Sequence, residues 1–381
     1  MNSLNIIHAH AFTPAGWLQD TLVCIANGKI SKIETYSEQS LEGDIIDASG
    51  LFASPGWIDI QINGGFGMDF TDDPSDIWEV AGQLPKYGTT CFLPTIVTSP
   101  PEKVLRAMEV LRLGPPPGWS GAEPLGIHAE GPFLNPQKKG AHNPRYLQRP
   151  SLELIDGWSR ENGIWLVTLA PELPGSADVM EALHTRQVVI SAGHSMATYE
   201  EAMTSFERGI QCGTHLYNAM PSLLHREPGL SGALLTQPEI IVGLIADGIH
   251  CHPGMLQLTW RAKGASEIAL VTDAMGAMGM HPGTYEFTGF EITVDQTSAR
   301  LPDGTLAGSI LTTDQALRNM MSWLHLNLED IIPSLTSTPA RLLNVPHKGH
   351  LSLGADADLV LLTETGQVMK TLAKGQVLYS S

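Results

Sequence analysis

Two histidines close apolar runs beside small residues: His194 in "SAGHS" and His215 in "CGTHLYNAM". Small neighbours leave room for a ligand. Two imidazoles from adjacent strands plus one carboxylate make an open three-ligand zinc site, with water as the fourth ligand. Glu130 in "GIHAEGPFLN" is the best-placed carboxylate, because it ends a strand and precedes Gly-Pro, a sharp exit. Its structural alternative is an ion pair with a helix N-terminus. Asp273 in "IALVTDAMG" follows a fully apolar run. An ionised carboxylate there is costly unless paired, next to a metal or protonated. That marks Asp273 as a candidate general base beside a water, with a helix cap as the alternative. The chain has 14 histidines, so most must be structural; His8, His10, His184, His281, His325, His347 and His350 lack this context.

Positive charge is sparse, and it clusters in "NPQKKGAHNPR" and "LLHREPGL". Lys138 and Lys139 read as solvated surface lysines. His142 sits among them, and Arg226 offers a planar fork matched to phosphate. The stretch "PGWIDIQINGG" poses a separate question. Asp59, Gln61 and Asn63 alternate with Ile58, Ile60 and Ile62, the period of a strand with one polar face. Such a strand could present two imidazoles to a metal, yet it carries two neutral amides. Any metal must take its ligands from elsewhere.

The elements that would position these groups form a repeated pattern. Eight strand-like runs, "GWIDIQING", "TTCFLPTIVT", "EPLGIHAEG", "IWLVTLAPE", "QVVISAGHS", "QCGTHLYNAM", "IIVGLIADGIH" and "EIALVTDAM", alternate with helix-like segments. "SPPEKVLRAMEVLRLG" offers a Ser cap and prolines in the first turn, and "MATYEEAMTSFERG" ends on a Gly stop. The alternation predicts an α/β fold, a (β/α)₈ TIM-like barrel over residues 55–347, with an open doubly wound sheet as the alternative. The runs end in Asn63, Thr98, Glu130, Glu172, His194, His215, His250 and Asp273, which a barrel would gather at its C-terminal mouth. Residues 1–54 and 348–381 carry short β-like runs and read as one small β-sandwich domain built from both termini.

Bulk composition narrows the function. With 381 residues, 43% hydrophobic and 16% charged, the chain has the make-up of a well-packed enzyme. A net charge of −18 leaves no basic stripe for nucleic acid. Four dispersed cysteines, Cys24, Cys91, Cys212 and Cys251, read as free thiols of a reducing compartment. Neither a secretory signal nor a membrane span is legible, so a cytoplasmic location is expected.

Taken in order, "PGWIDIQINGG", "HAEGPFLNPQKKGAHNP", "TLAPE", "GHS", "THLYNAM", "REPGL", "ADGIH", "VTDAM" and "LAGSILT" closely resemble the N-acetylglucosamine-6-phosphate deacetylases of the amidohydrolase superfamily. The likeness runs through almost the whole chain, including "GHLSLGADADLVLL". It implies one divalent ion per subunit on Glu130, His194 and His215, with Zn²⁺ as the first choice and Fe²⁺ or another divalent ion compatible. Many amidohydrolases bind a second metal through His-x-His on strand one and a carboxylated Lys on strand four. Gln61 and Asn63 replace the first, and "IWLVTLAPE" has no Lys, which disfavours two metals; the amides would instead order water or a neighbouring ligand. The resemblance further implies metal-assisted hydrolysis of an acetamide, with Asp273 moving the proton and His142 holding the carbonyl oxygen. It assigns Ala141, Asn218, Ala219 and His250 to the sugar, and Leu306, Ala307, Gly308 and Ser309 to a closing loop. Arg226 would clamp the phosphate from the neighbouring subunit of a homodimer. The rival readings are a deacetylase of the galactosamine epimer, a cyclic-amide hydrolase and a non-catalytic scaffold.

Overall fold

In the computed structural model, which describes residues 3–381, eight parallel strands neighbour one another in chain order. They are Trp57–Ile62, Thr89–Val97, Ile127–Glu130, Ile164–Leu169, Val189–Ala192, Ile210–Gly213, Ile241–Ile245 and Ile268–Val271. The eighth returns to the first through a parallel bridge between Ile62 and Ala274, and through a 2.9 Å hydrogen bond from Asp273 N–H to the Gln61 carbonyl. The sheet is a closed barrel, each of the eight apolar runs supplies one strand, and the open sheet is set aside.

Every residue of the first strand is buried, as a barrel strand covered by helices outside and side chains inside requires. Ile58, Ile60 and Ile62 join the main apolar core. Asp59 stitches the barrel seam: its carboxylate accepts from the Thr272 N–H and hydroxyl at 3.1 and 2.6 Å, and from the Gln61 N–H at 3.0 Å. Burial pushes this carboxyl up to about 7, against those three donors.

The two helices expected from the sequence form at Pro101–Leu113 and Tyr199–Phe206. Ser99 is not the cap of the first. Pro100 occupies the capping position, and the Ser99 hydroxyl is buried without a partner. Two consecutive prolines remove N–H groups that a cap would otherwise satisfy, so the helix starts without one. Thr198 caps the second in a reciprocal box with Glu201, and the chain leaves at Gly209 with φ +104°.

Strands from both termini build the small β-sandwich. Leu4–Thr13, Gly16–Ala26, Lys29–Thr35, Asp44–Asp47 and Phe52–Pro55 share one hydrogen-bonded sheet with Leu359–Leu362, Val368–Ala373 and Gln376–Ser380. The termini meet where Phe52–Pro55 runs antiparallel to Leu359–Leu362. Register shifts in Leu4–Thr13 let the sheet bend around its own core of Ile6, Val23, Ile30, Leu359 and Leu361. This unit is pinned to the barrel by Lys348. Its buried ammonium reaches Glu123, Asp356 and Asp358 at 2.9, 3.0 and 2.8 Å.

One element was not anticipated. Gly283–Phe287, Phe290–Val294 and Ala299–Arg300 form an antiparallel meander beyond the last barrel strand. The signal was present: "TYEFTGFEITV" alternates about Thr288-Gly289, and both turn residues have positive φ, as a two-residue hairpin demands. Phe287, Ile292 and Val294 pack with Met275 and Ala277 in a separate apolar cluster beside the barrel mouth. The Thr288 N–H is tied to the Asp72 carboxylate at 2.7 Å.

Candidate metal centre and active site

Glu130 ends the third barrel strand, while His194, His215 and Asp273 each lie two residues past the end of theirs. These last three have φ of +49°, +31° and +49°, a region that side chains seldom adopt. The reversal tips each side chain over the mouth at a cost of about 1–3 kcal/mol apiece. Neighbouring backbone offsets it, with Asn135 N–H on the His194 carbonyl at 2.9 Å and Ser309 N–H on the Asp273 carbonyl at 2.8 Å. Gly193 must be glycine here, since a Cβ would fall 2.9 Å from both Thr168 Cγ2 and Thr214 Cβ.

The three predicted ligands converge. Nε2 of His194 and Nε2 of His215 lie 3.2 and 3.1 Å from Glu130 Oε1, and 3.0 Å from each other. All three side chains are buried. The His194 Nδ1–H donates to the Lys138 carbonyl at 2.8 Å, which leaves its Nε2 lone pair pointing inward. Burial alone would raise the Glu130 carboxyl, but the His194 and His215 imidazoles against it, with His142 nearby, outweigh that and hold the group well below the ordinary range. Two nitrogens and one oxygen directed at a common point, with a charge of −1 among them, fit a divalent cation. These three residues could hold one ion.

Asp273 stands beside this centre, held by amides of the first strand. Asn63 Nδ2 donates to its Oδ1 at 2.7 Å and Gln61 Nε2 at 3.1 Å, while the same Gln61 amide reaches Glu130 Oε1 at 3.3 Å. The two neutral amides therefore meet the carboxylates directly. Burial and the Glu130 charge push the Asp273 carboxyl upward, against His215, His250 and Asn63.

His142 faces the centre from the other side, with Nε2 3.9 Å from Glu130 Oε2. Burial, reinforced by His194, lowers this imidazole to about 3, so it is neutral. Its Nδ1 accepts the Thr98 N–H at 3.3 Å, which places the proton on Nε2, the nitrogen turned to the site. The backbone partner Thr98 carried no side-chain signal for this role.

A cavity of about 320 Å³ opens over these groups. Ala141, Asn218, Ala219, His250, Leu306, Ala307 and Gly308 line it, as do Phe287, Phe290 and Ile292 of the unforeseen meander. His250 is fixed by Asp247, whose Oδ2 takes the Nδ1–H at 2.6 Å and whose Oδ1 takes two backbone N–H groups. Ser309 departs from expectation: its hydroxyl turns back to the Thr272 carbonyl at 2.5 Å, so it supports Asp273 from behind and does not border the cavity. Lys138 is not a free surface lysine either. Its ammonium donates to the Met220 carbonyl at 2.7 Å because its backbone is drawn inward onto His194. Arg226 is exposed on the loop before helix Gly229–Thr236 and stays outside this chain's own cavity. Glu172 belongs to the strand-end series, yet it turns sideways to Asn135, Ser195 and Met196.

The chain has extensive similarity to known proteins. Residues 52–378 match the model of the amidohydrolase family. An N-acetylglucosamine-6-phosphate deacetylase of Lysinibacillus sphaericus is 38% identical over 359 residues, covering 93% of this chain and 92% of that protein. The crystal structure of an N-acetylglucosamine-6-phosphate deacetylase from Pasteurella multocida superposes with a TM-score of 0.92 at 30% identity, covering 100% of both chains. A Mycobacterium smegmatis deacetylase variant, solved in complex with N-acetyl-D-glucosamine-6-phosphate, superposes with a TM-score of 0.89 at 28% identity, covering 100% of this chain and 99% of that one.

Proposed function

The chain belongs to the amidohydrolase family, and from that premise we propose that it hydrolyses the N-acetyl group of N-acetylglucosamine 6-phosphate, releasing glucosamine 6-phosphate and acetate. The observation that carries this reading is the meeting of Glu130, His194 and His215 within ligand distance of one point, with Asp273 and His142 on either side and one cavity above them.

A divalent ion bound there would lower the pKa of a coordinated water to about 7 and polarise the acetyl carbonyl. Zn²⁺ fits first, since two imidazoles and one carboxylate are its usual open donor set; Fe²⁺ accepts the same ligands. Asp273 takes the proton of the attacking water and returns it to the departing sugar nitrogen. Asn63 and Gln61 keep its carboxylate aimed during both transfers. The His142 Nε2–H donates to the carbonyl oxygen, where negative charge develops.

Ala141, Asn218, Ala219 and His250 hold the sugar, while Leu306, Ala307 and Gly308 cover it and exclude water. The phosphate is met by Arg226 of a second copy in a homodimer. Exposed Arg226 and its apolar neighbours Leu223 and Leu224, 36% and 51% exposed, support that arrangement. The thiols of Cys24, Cys91, Cys212 and Cys251 are all free, which suits a cytoplasmic enzyme, and no helix of the described residues is long and apolar enough to cross a membrane. Acetate release from N-acetylglucosamine 6-phosphate, measured with and without a chelator, tests the reading. Release that survives metal removal, or a clear preference for the galactosamine epimer, overturns it.

A further inference from the structure

Glu172 ends the fourth barrel strand's run, "TLAPE", yet reaches neither the cavity nor the ligand cluster. Its carboxylate instead gathers three donors from two loops. Oε1 accepts from the Met196 N–H at 2.6 Å and from Asn135 Nδ2 at 2.8 Å, and Oε2 accepts from the Ser195 hydroxyl at 2.7 Å. Ser195 and Met196 directly follow the ligand His194. Asn135 begins the short helical turn Pro136–Lys138, and its side-chain oxygen receives the Gln137 N–H at 3.0 Å. The Asn135 carbonyl receives the Lys138 N–H at 2.8 Å. The Lys138 carbonyl in turn accepts the His194 Nδ1–H. The circuit closes where the Asn135 N–H meets the His194 carbonyl at 2.9 Å.

We propose that Glu172 is the positioning residue of the metal centre, clamping the His194 loop to the Asn135–Lys138 turn so that the His194 ring holds one orientation and one tautomer. The proposal rests on the reading of His194 as a ligand. The two histidines are supported unequally, which gives the clamp its importance. His194 has a fixed acceptor behind its ring, whereas His215 Nδ1 is buried with no partner. Preorganisation of the imidazole pair therefore comes from the His194 side. Groups behind a ligating histidine commonly influence metal affinity or activity by about 10–100-fold. Glutamine in place of Glu172 keeps the size but turns one carboxylate oxygen into an amide nitrogen that cannot accept, so at least one of the three donors loses its acceptor and the remaining bonds lose their charge.

The test measures Zn²⁺ affinity by chelator competition in the full chain, for wild type, Glu172→Gln, Ser195→Ala and His194→Ala. The Co²⁺-loaded spectrum and the melting temperature of the metal-free form are followed in parallel. Glu172→Gln should weaken Zn²⁺ binding about 10–100-fold and alter the Co²⁺ spectrum. Ser195→Ala, which removes one of the three donors, should weaken it less and in the same direction. The metal-free melting temperature should move little in either. Unchanged affinity and spectrum in Glu172→Gln, with binding lost in His194→Ala, overturns the clamp alone. Unchanged affinity in His194→Ala overturns the ligand reading beneath it. A Glu172→Gln chain that fails to fold shifts the decision to Ser195→Ala, where wild-type affinity overturns the proposal.

Discussion

Nε2 of His194 lies 3.0 Å from Nε2 of His215, although the Nδ1–H of His194 is already committed to the Lys138 carbonyl. The His194 lone pair thus points at its neighbour and at a buried carboxylate, an arrangement that repels without a cation and binds with one. Elemental analysis of the purified protein should find close to one divalent ion per chain. A chelator should abolish turnover, and added Zn²⁺ should restore it. A reproducible two ions per chain would contradict the first-strand amides as a replacement for metal ligands.

The proposed mechanism has Asp273 move the proton, and its carboxylate already has two amide donors of its own. Asp273→Asn keeps the shape and removes the basic oxygen. Its kcat should fall about 10²–10⁴-fold, the usual worth of a positioned acid–base group. Metal content should stay near wild type, because Asp273 is not among the three converging ligands. Near-normal turnover in this variant removes Asp273 from the mechanism.

His142 donates from Nε2 because the Thr98 N–H occupies its Nδ1. His142→Phe keeps a ring of similar reach without the donor. The expected loss is about 10²–10³ in kcat, the cost of deleting one oxyanion donor. A change confined to KM would make His142 a binding residue only.

The convergence of Glu130, His194 and His215 was legible in the sequence because strand ends in a barrel converge, and because His194 and His215 stand beside glycine, serine and threonine that leave space. The barrel itself was legible because its strands are buried on both faces and read as continuous apolar runs. What escaped were contacts made by backbone. The Thr98 N–H on His142 and the Lys138 carbonyl on His194 depend on where a loop passes, and every residue type carries those groups. Glu172 was visible as a strand-end carboxylate, but its sideways turn depends on the Asn135 loop folding back over it. The meander that walls the cavity was written as plain alternation about Thr288-Gly289, overshadowed by the longer barrel pattern.

Lys348 is buried among Glu123, Asp356 and Asp358, so deleting its charge leaves three carboxylates together. Lys348→Met should cost about 3–5 kcal/mol of stability, as loss of one partner from a buried ionic cluster does. Burial would raise Glu123 and Asp356, but Lys348 with Lys374 holds the first below its ordinary range, and Lys29 with Lys348 holds the second. Depressed carboxyls stabilise the fold above their unfolded pKa of about 4, and that contribution disappears as pH falls through the folded values. The melting temperature of wild type should therefore drop below about pH 4. In Lys348→Met the drop should be shallower from a lower start, and parallel curves would deny the cluster its role.

Arg226 outside its own cavity allows a test that separates subunits. Alone, Arg226→Ala should raise KM far more than it lowers kcat, since it would remove a phosphate contact that the ground state already makes. Arg226→Ala and Asp273→Asn chains should each be poor enzymes by themselves. In the proposed homodimer, co-expression would give mixed dimers in which the Arg226→Ala chain contributes an intact Asp273 and its partner contributes an intact Arg226. One complete site per mixed dimer would then appear, with a KM like that of wild type and about half its kcat per dimer. An arginine acting within its own chain yields no complete site in any mixture, so the absence of recovered activity in verified mixed dimers would refute the shared site.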